Sequence, residues 1–114
     1  MTDTLDLSNL NEAYDGDRDG IAELLDESLE FIARTQAEMR AALGSADASA
    51  VAKSAHSLKG ASANIGANAI RAVSAQIESD AKLGELAGVA PLLDQLEAAL
   101  RALREAVAVY KRGA

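Results

Sequence analysis

Residues 48–65 read ASAVAKSAHSLKGASANI, and they give the clearest indication of how the chain folds. At about 100° per residue on a helix, its larger apolar side chains fall on one side. The side that we expect to be buried consists of Val51, Ala55, Leu58, Ser62 and Ile65. Asp47 precedes the stretch as a candidate N-cap, and Gly66 follows it as a candidate terminator. The pattern therefore predicts a helix that packs through one face and exposes the other.

Four more helices are predicted on either side of this one. We expect them over residues 8–14, 18–43 and 67–83, and from residue 89 onward. Alanine, leucine and glutamate are abundant, proline occurs once, and no alternating strand pattern is present. The predicted boundary residues are Ser8 as the first N-cap, a break at 15–17, Gly44 and Gly84 as terminators, and Pro91 in the first turn of the last helix.

Each of the other long helices carries an apolar stripe at steps of three and four residues. The stripes are Ile21, Leu25, Leu29, Ile32, Met39 and Leu43, then Ile70, Val73 and Ile77, then Leu92, Leu96, Leu100, Leu103, Val107 and Tyr110. Short connections between long amphipathic helices favour antiparallel neighbours. We therefore predict an all-α fold, an antiparallel four-helix bundle with a short additional N-terminal helix. It forms one domain over residues 1–114, with the core bundle at about 18–111, and we expect a monomer because one bundle can bury every stripe.

The composition disfavours several classes of protein. The chain has no cysteine, so disulfides, catalytic thiols and zinc–thiolate sites are ruled out. Its net charge of −7 disfavours nucleic-acid binding, which depends on a basic surface. The first ten residues, MTDTLDLSNL, lack the basic and apolar segments of a signal peptide, and no apolar stretch is long enough to span a membrane. We expect a cytoplasmic protein that binds neither nucleic acid nor membrane.

The positive charges are not spread evenly. Residues 48–77 contain Lys53, Lys59 and Arg71 but no Asp or Glu. The rest of the chain holds 8 Lys or Arg against 18 Asp or Glu. A locally positive segment thus lies inside an acidic protein, and charge of this kind can steer a partner.

The one histidine of the chain stands at the centre of this segment. His56 lies roughly 140° from the middle of the predicted buried face, so we expect it to point to solvent. Gly60 costs the helix about 1 kcal/mol relative to alanine, but it clears the space over the turn that contains the histidine. Lys59 leans back toward the ring for the same geometric reason. The surrounding positions are small or basic, and the predicted docking residues are Ser49, Ala52, Lys53 and Ala63.

A single exposed histidine supports few kinds of chemistry. A metal site needs several ligands, and no second histidine or cysteine exists, so no metal site is predicted. The nearby serines lie on a regular helix that offers no free backbone N–H for an oxyanion hole. An imidazole nitrogen is nucleophilic near neutral pH, so covalent carriage of a group remains. The alternative from the residues alone is a surface histidine without a function.

Residues 55–67, AHSLKGASANIGA, closely resemble the signature of histidine-containing phosphotransfer (HPt) domains, which shuttle phosphoryl groups in multistep two-component relays. The resemblance is carried by the His-x-Leu-Lys-Gly core at 56–60 and by the Gly66–Ala67 pair, and it extends to Ile70 and to the Ile77–Glu78 pair. Beyond residue 83 it continues only as a helical pattern.

The resemblance implies a role for each residue of the motif. His56 accepts a phosphoryl group on Nε2 from a receiver-domain aspartate and passes it to another receiver. Lys59 stabilises the phosphoryl charge, and Gly60 gives steric access. Glu78 matches the position at which family members place a Glu or Gln that hydrogen-bonds to the imidazole and orients it.

The resemblance also implies the partners, which are response-regulator receiver domains and a hybrid histidine kinase. The receiver is expected to supply the metal ion, so this chain is expected to need no cofactor. It would be a phosphocarrier intermediate rather than a stand-alone enzyme, with no kinase ATP-binding domain. One alternative is a non-catalytic helical module that docks a receiver or histidine kinase. Another is the phosphoacceptor piece of a chemotaxis-type kinase, which would have to be phosphorylated in trans.

Overall fold

The computed structural model of the protein describes residues 5–113. Residues 1–4 and 114, at the two ends of the predicted single domain, lie outside this range. The helices are α1 (Ser8–Ala13), α2 (Arg18–Gly44), α3 (Ala48–Ile65), α4 (Asn68–Lys82) and α5 (Val89–Lys111). No strand occurs between residues 5 and 113, so the predicted all-α class is confirmed. Within the same residues, no helix has the length and apolarity needed to cross a membrane.

The four long helices form the predicted bundle. α3 packs against α2 and α4, and α5 packs against the same two helices from the other side. The described residues measure 42 × 23 × 22 Å, so the bundle is about as long as α2, whose 27 residues span about 40 Å at the usual helical rise. The short α1 adds Leu10 to the core. The four-helix bundle with an additional N-terminal helix is therefore confirmed.

The core forms along the helix faces that meet inside the bundle. On α3 the buried residues are Val51, Ala55, Leu58, Ser62 and Ile65, which is the predicted set. On α5 the prediction was wrong at its start, because Val89 and Leu93 are fully buried whereas Leu92 is only half-buried. The adjacent leucines both fit the helical period, and only the packing against α2 and α4 decides between them. The predicted stripe residues Leu43, Val73 and Tyr110 are half-buried at the edges of the core.

Helices α1 to α4 end in the same backbone arrangement, a Schellman motif in which a residue of left-handed conformation closes the last turn. At the end of α4, for example, the N–H of Gly84 donates to the carbonyl of Ala81 and the N–H of Glu85 donates to that of Asp80, both at 2.9 Å. The left-handed residues are Asp15, Ala46, Gly66 and Gly84, with φ of 52°, 52°, 74° and 76°. The predicted ends at Gly66 and Gly84 and the predicted break at 15–17 are thereby confirmed.

The predicted end of α2 was correct to within one residue, but the predicted role of Gly44 as the left-handed terminator was wrong. Gly44 is the last residue of the helix, and Ala46 adopts the left-handed conformation instead. The next residue, Asp47, both completes the closing motif through its N–H and caps α3 by accepting a hydrogen bond from the N–H of Ala50 at 3.1 Å. The position of this N-cap therefore determines where α2 ends, although an alanine in the left-handed conformation at position 46 costs conformational free energy.

The N-terminal segment is tied to the turn between α3 and α4. The N–H of Asp6 donates to the carbonyl of Gly66 at 2.8 Å. A side chain at Gly66 would overlap the carbonyl of Asp6, so glycine is needed there for close approach as well as for its positive φ. Ser8 was predicted to cap α1, which was wrong: its hydroxyl donates to the carboxylate of Asp6, and that carboxylate also accepts from the N–H of Ser8.

Candidate functional site

His56 lies on the outer face of α3, opposite the buried residues of that helix. Its side chain is 70% exposed. One turn further along, Gly60 is also exposed, and a Cβ built at this position would meet no atom within 4 Å. The packing of the chain itself therefore does not require a glycine here. The space above the histidine is open to a group from outside the chain.

Glu78 on α4 holds one nitrogen of the imidazole ring. Because α4 packs against α3 and runs back along it, residue 78 returns to the level of residue 56. Its Oε2 lies 2.9 Å from Nδ1 of His56. The carboxylate is almost buried, with 6% of its side chain exposed. The structure thus brings together the two residues that the sequence placed 22 positions apart.

Two lysines bind the same carboxylate. Nζ of Lys59 lies 2.7 Å from Oε1 of Glu78, and Nζ of Lys82 lies 3.2 Å from Oε2. Lys59 was expected near the ring, and the structure places it there through the shared carboxylate. Lys82 was not predicted as a site residue, although a glutamate followed four residues later by a lysine is a recognisable helical ion-pair spacing.

These contacts determine the charge of Glu78. The hydrogen bond from Lys59 lowers its pKa most, burial acts in the opposite direction, and the hydrogen bonds from Lys82 and His56 lower it further. The net effect takes the pKa from 4.5 to about 2. The carboxylate is therefore ionised at neutral pH and has no proton to donate.

The ionised carboxylate fixes the tautomer of the neutral imidazole. Since Glu78 can only accept, Nδ1 of His56 must carry the proton of the 2.9 Å hydrogen bond. The lone pair of the neutral ring is then on Nε2. An exposed ring with a free Nε2 and a positive environment can attack an electrophilic phosphorus and hold the product. Within residues 5–113, no group of three or more His, Cys, Asp or Glu side chains is arranged to hold a metal ion.

An open groove of about 960 Å³ lies beside His56, between α3 and the C-terminal end of α4. Three of the predicted docking residues, Ser49, Ala52 and Lys53, line this groove. The fourth, Ala63, is exposed further along α3 and does not line it. The α4 side of the groove was not predicted from the sequence, and it includes Ala81, Lys82, Leu83 and Gly84.

The sequence model of the Hpt domain family matches residues 23–106, more than two thirds of the chain and the whole of the site. The chain belongs to the Hpt domain family. HPt domains act as phosphoryl carriers in phosphorelays, in which they interact with receiver domains and kinases. The motif around His56 and the residues that hold its ring all lie within the matched range.

A solved structure supports the same assignment over a longer stretch of this HPt domain. The crystal structure of histidine-containing phosphotransfer protein B (HptB) from Pseudomonas aeruginosa PAO1 is similar to it with a TM-score of 0.89. The two sequences are 29% identical, and the alignment covers 98% of each chain. A search of curated proteins finds no significant match.

Proposed function

We propose that this chain is a phosphorelay carrier that takes a phosphoryl group onto Nε2 of His56 from the aspartyl phosphate of one receiver domain and delivers it to the aspartate of another. The observation that carries the proposal is the hydrogen bond between Nδ1 of His56 and the ionised carboxylate of Glu78. It leaves Nε2, on an exposed ring, as the nucleophilic atom.

The proposed transfer exchanges one bond to phosphorus for another. The lone pair of Nε2 forms the P–N bond, the P–O bond of the aspartyl phosphate breaks, and its electron pair leaves on the aspartate carboxylate. The proton on Nδ1 stays on the ring, which becomes cationic. The carboxylate of Glu78, 2.9 Å from that nitrogen, stabilises the cation. The reverse sequence, with a second receiver, regenerates the neutral ring.

Lys59 and Gly60 have separate roles in this proposal. The ammonium of Lys59, held on Glu78 beside the ring, neutralises part of the phosphoryl charge. Gly60 leaves the space that the phosphoryl group and the receiver enter. The receiver would supply the metal ion for the transfer, and the receiver of a hybrid histidine kinase is a natural donor. This chain would act as a monomer, with the phosphoryl group as its only cargo.

Transfer of labelled phosphoryl tests the proposal directly. A receiver domain labelled on its aspartate is mixed with this chain, and acid-labile label is expected to appear on the chain. His56→Gln is expected to take up none while keeping the helical content and melting temperature of the parent. Label on His56→Gln would contradict the assignment. Stoichiometric receiver binding without any label would indicate a non-catalytic docking module instead.

A further inference from the structure

Leu83 is an unusual surface residue beside the groove. It is 71% exposed, more than any other large apolar side chain among residues 5–113. It is the C-cap residue of α4, and its N–H donates to the carbonyl of Asp80 at 3.1 Å. The Schellman motif around Gly84 closes the turn immediately after it. An exposed leucine is therefore held on a well-defined turn at the rim of the groove.

The groove next to Leu83 has the chemistry of a protein-docking surface. Small side chains make up most of its remaining wall: Ala48, Ser49, Ala52, Ser57, Ala81 and Gly84. Its exposed charges, Lys53 and Lys82, are both positive. The acid that also lines it, Glu78, is almost buried and already bound to three donors. The surface is thus apolar with a positive rim, and it fits a partner face that is apolar with acidic groups.

We infer that this groove and Leu83 form the apolar anchor for the receiver domain and determine how tightly the receiver binds. The inference rests on the proposed function. His56 is itself part of the groove wall, so a protein that brings an aspartyl phosphate to Nε2 also covers the groove. A receiver site that holds a metal ion through carboxylates is acidic, which matches Lys53 and Lys82. The receiver therefore contacts the C-terminal end of α4 as well as α3, and Leu83 inserts into the receiver surface.

The anchor is tested by separating receiver binding from the chemistry of His56. The probe is the labelled receiver that most rapidly transfers label to the parent chain in a panel of receivers. Leu83→Glu is expected to raise the KM for this receiver about tenfold or more, because it places a charge where the partner would bury a large apolar side chain. The transfer rate at saturating receiver is expected to change by less than about twofold. Phosphorylation by phosphoramidate, a small donor that needs no docking surface, is expected to proceed at the parent rate.

Matched variants keep the test specific. Val109→Glu places the same charge on an exposed apolar residue of α5 and is expected to leave the KM unchanged. Ser49→Trp fills the groove from its α3 wall and is expected to raise the KM. Ala102→Trp, on the exposed side of α5, is the control and is expected to leave the KM unchanged. Circular dichroism establishes that each variant is folded.

Three outcomes would overturn the inference. The first is a KM for Leu83→Glu and Ser49→Trp equal to that of the parent, and the second is an equal rise in Val109→Glu. In both cases the parent still transfers label, so the proposed function stands and only the anchor is wrong. If the parent accepts label from phosphoramidate but from no receiver, the proposed function itself fails and the anchor fails with it.

Discussion

Replacing Glu78 by glutamine removes the charge at the centre of the site and keeps its shape. The fall of the Glu78 pKa from 4.5 to about 2 corresponds to about 3 kcal/mol in favour of the ionised carboxylate. Lys59 and Lys82 are 38% and 66% exposed, so water screens both ion pairs and reduces the net contribution to about 1–2 kcal/mol. We expect Glu78→Gln to lose this much unfolding free energy at pH 7.

The pH dependence of this loss has a definite sign. The pKa of Glu78 is lower in the folded chain than in the unfolded chain, so folding is favoured by the ionised form. The contribution is complete above the unfolded pKa of 4.5 and disappears as the pH falls through 4.5 toward about 2. Glutamine does not titrate. The difference in stability between the parent and Glu78→Gln is therefore expected to shrink steadily below pH 5.

Urea unfolding monitored by circular dichroism at a series of pH values between 7 and 2.5 measures this difference. Glu105→Gln, at an exposed position of α5 without an ion pair in the described residues, serves as the control and is expected to change stability by less than about 0.5 kcal/mol. A difference in stability between parent and Glu78→Gln that stays constant down to pH 2.5 would contradict this expectation, because it would mean that the three partners do not hold the carboxylate ionised.

Other substitutions test single contacts. Lys82→Gln is expected to slow capture of the phosphoryl group by about two- to fivefold, which is less than the effect of Lys59→Gln. The reason is that the ion pair of Lys82 with Glu78 is longer and more exposed than that of Lys59. Single-turnover transfer measures both rates. Gly66→Ala is expected to lower the unfolding free energy by about 2 kcal/mol or more, because of the positive φ at this position and the overlap of an added Cβ with the backbone of Asp6; thermal unfolding measures the loss. Gly44→Ala, at a position where an added Cβ meets nothing within 4 Å, is the control and is expected to be neutral or stabilising. Ala46→Gly is expected to stabilise the chain by about 0.5–1 kcal/mol, because glycine adopts φ of 52° without strain; unchanged urea midpoints would contradict this.

The sequence predicted α3 fully because several local signals agree there. Asp47 and Gly66 mark its ends, and a single apolar stripe gives its buried face. Where two signals compete, the prediction was less accurate. Both Leu92 and Leu93 fit the period of α5, and only the neighbouring helices select Leu93. At the end of α2, the glycine at position 44 was the stronger local signal, but the cap of the next helix determined the boundary.

The residues of the site also differ in how far the sequence alone could predict their positions. The positions of His56, Lys59 and Gly60 follow from one helix, so helical geometry was enough to place them. The pairing with Glu78 depends on the register of α4 along α3, and the family resemblance supplied the spacing. Lys82 and Leu83 depend on the same register and lie outside the motif at 55–67. Lys82 carried one local signal, its spacing of four residues from Glu78, whereas no local pattern marked Leu83.

The ion pairs of Lys59 and Lys82 with Glu78 suit a carrier that must release the phosphoryl group it accepts. A phosphoryl group on Nε2 would attract the ammonium groups of Lys59 and Lys82, but both already bind the carboxylate. Moving either of them toward phosphate leaves Glu78, which is almost buried, with less compensation, and this cost offsets part of the attraction. Glu78 is ionised at neutral pH because its pKa is about 2, so both lysines are bound to a charged carboxylate when the phosphoryl group arrives. Under the proposed function, the shared carboxylate therefore limits how strongly the two lysines can hold the phosphoryl group.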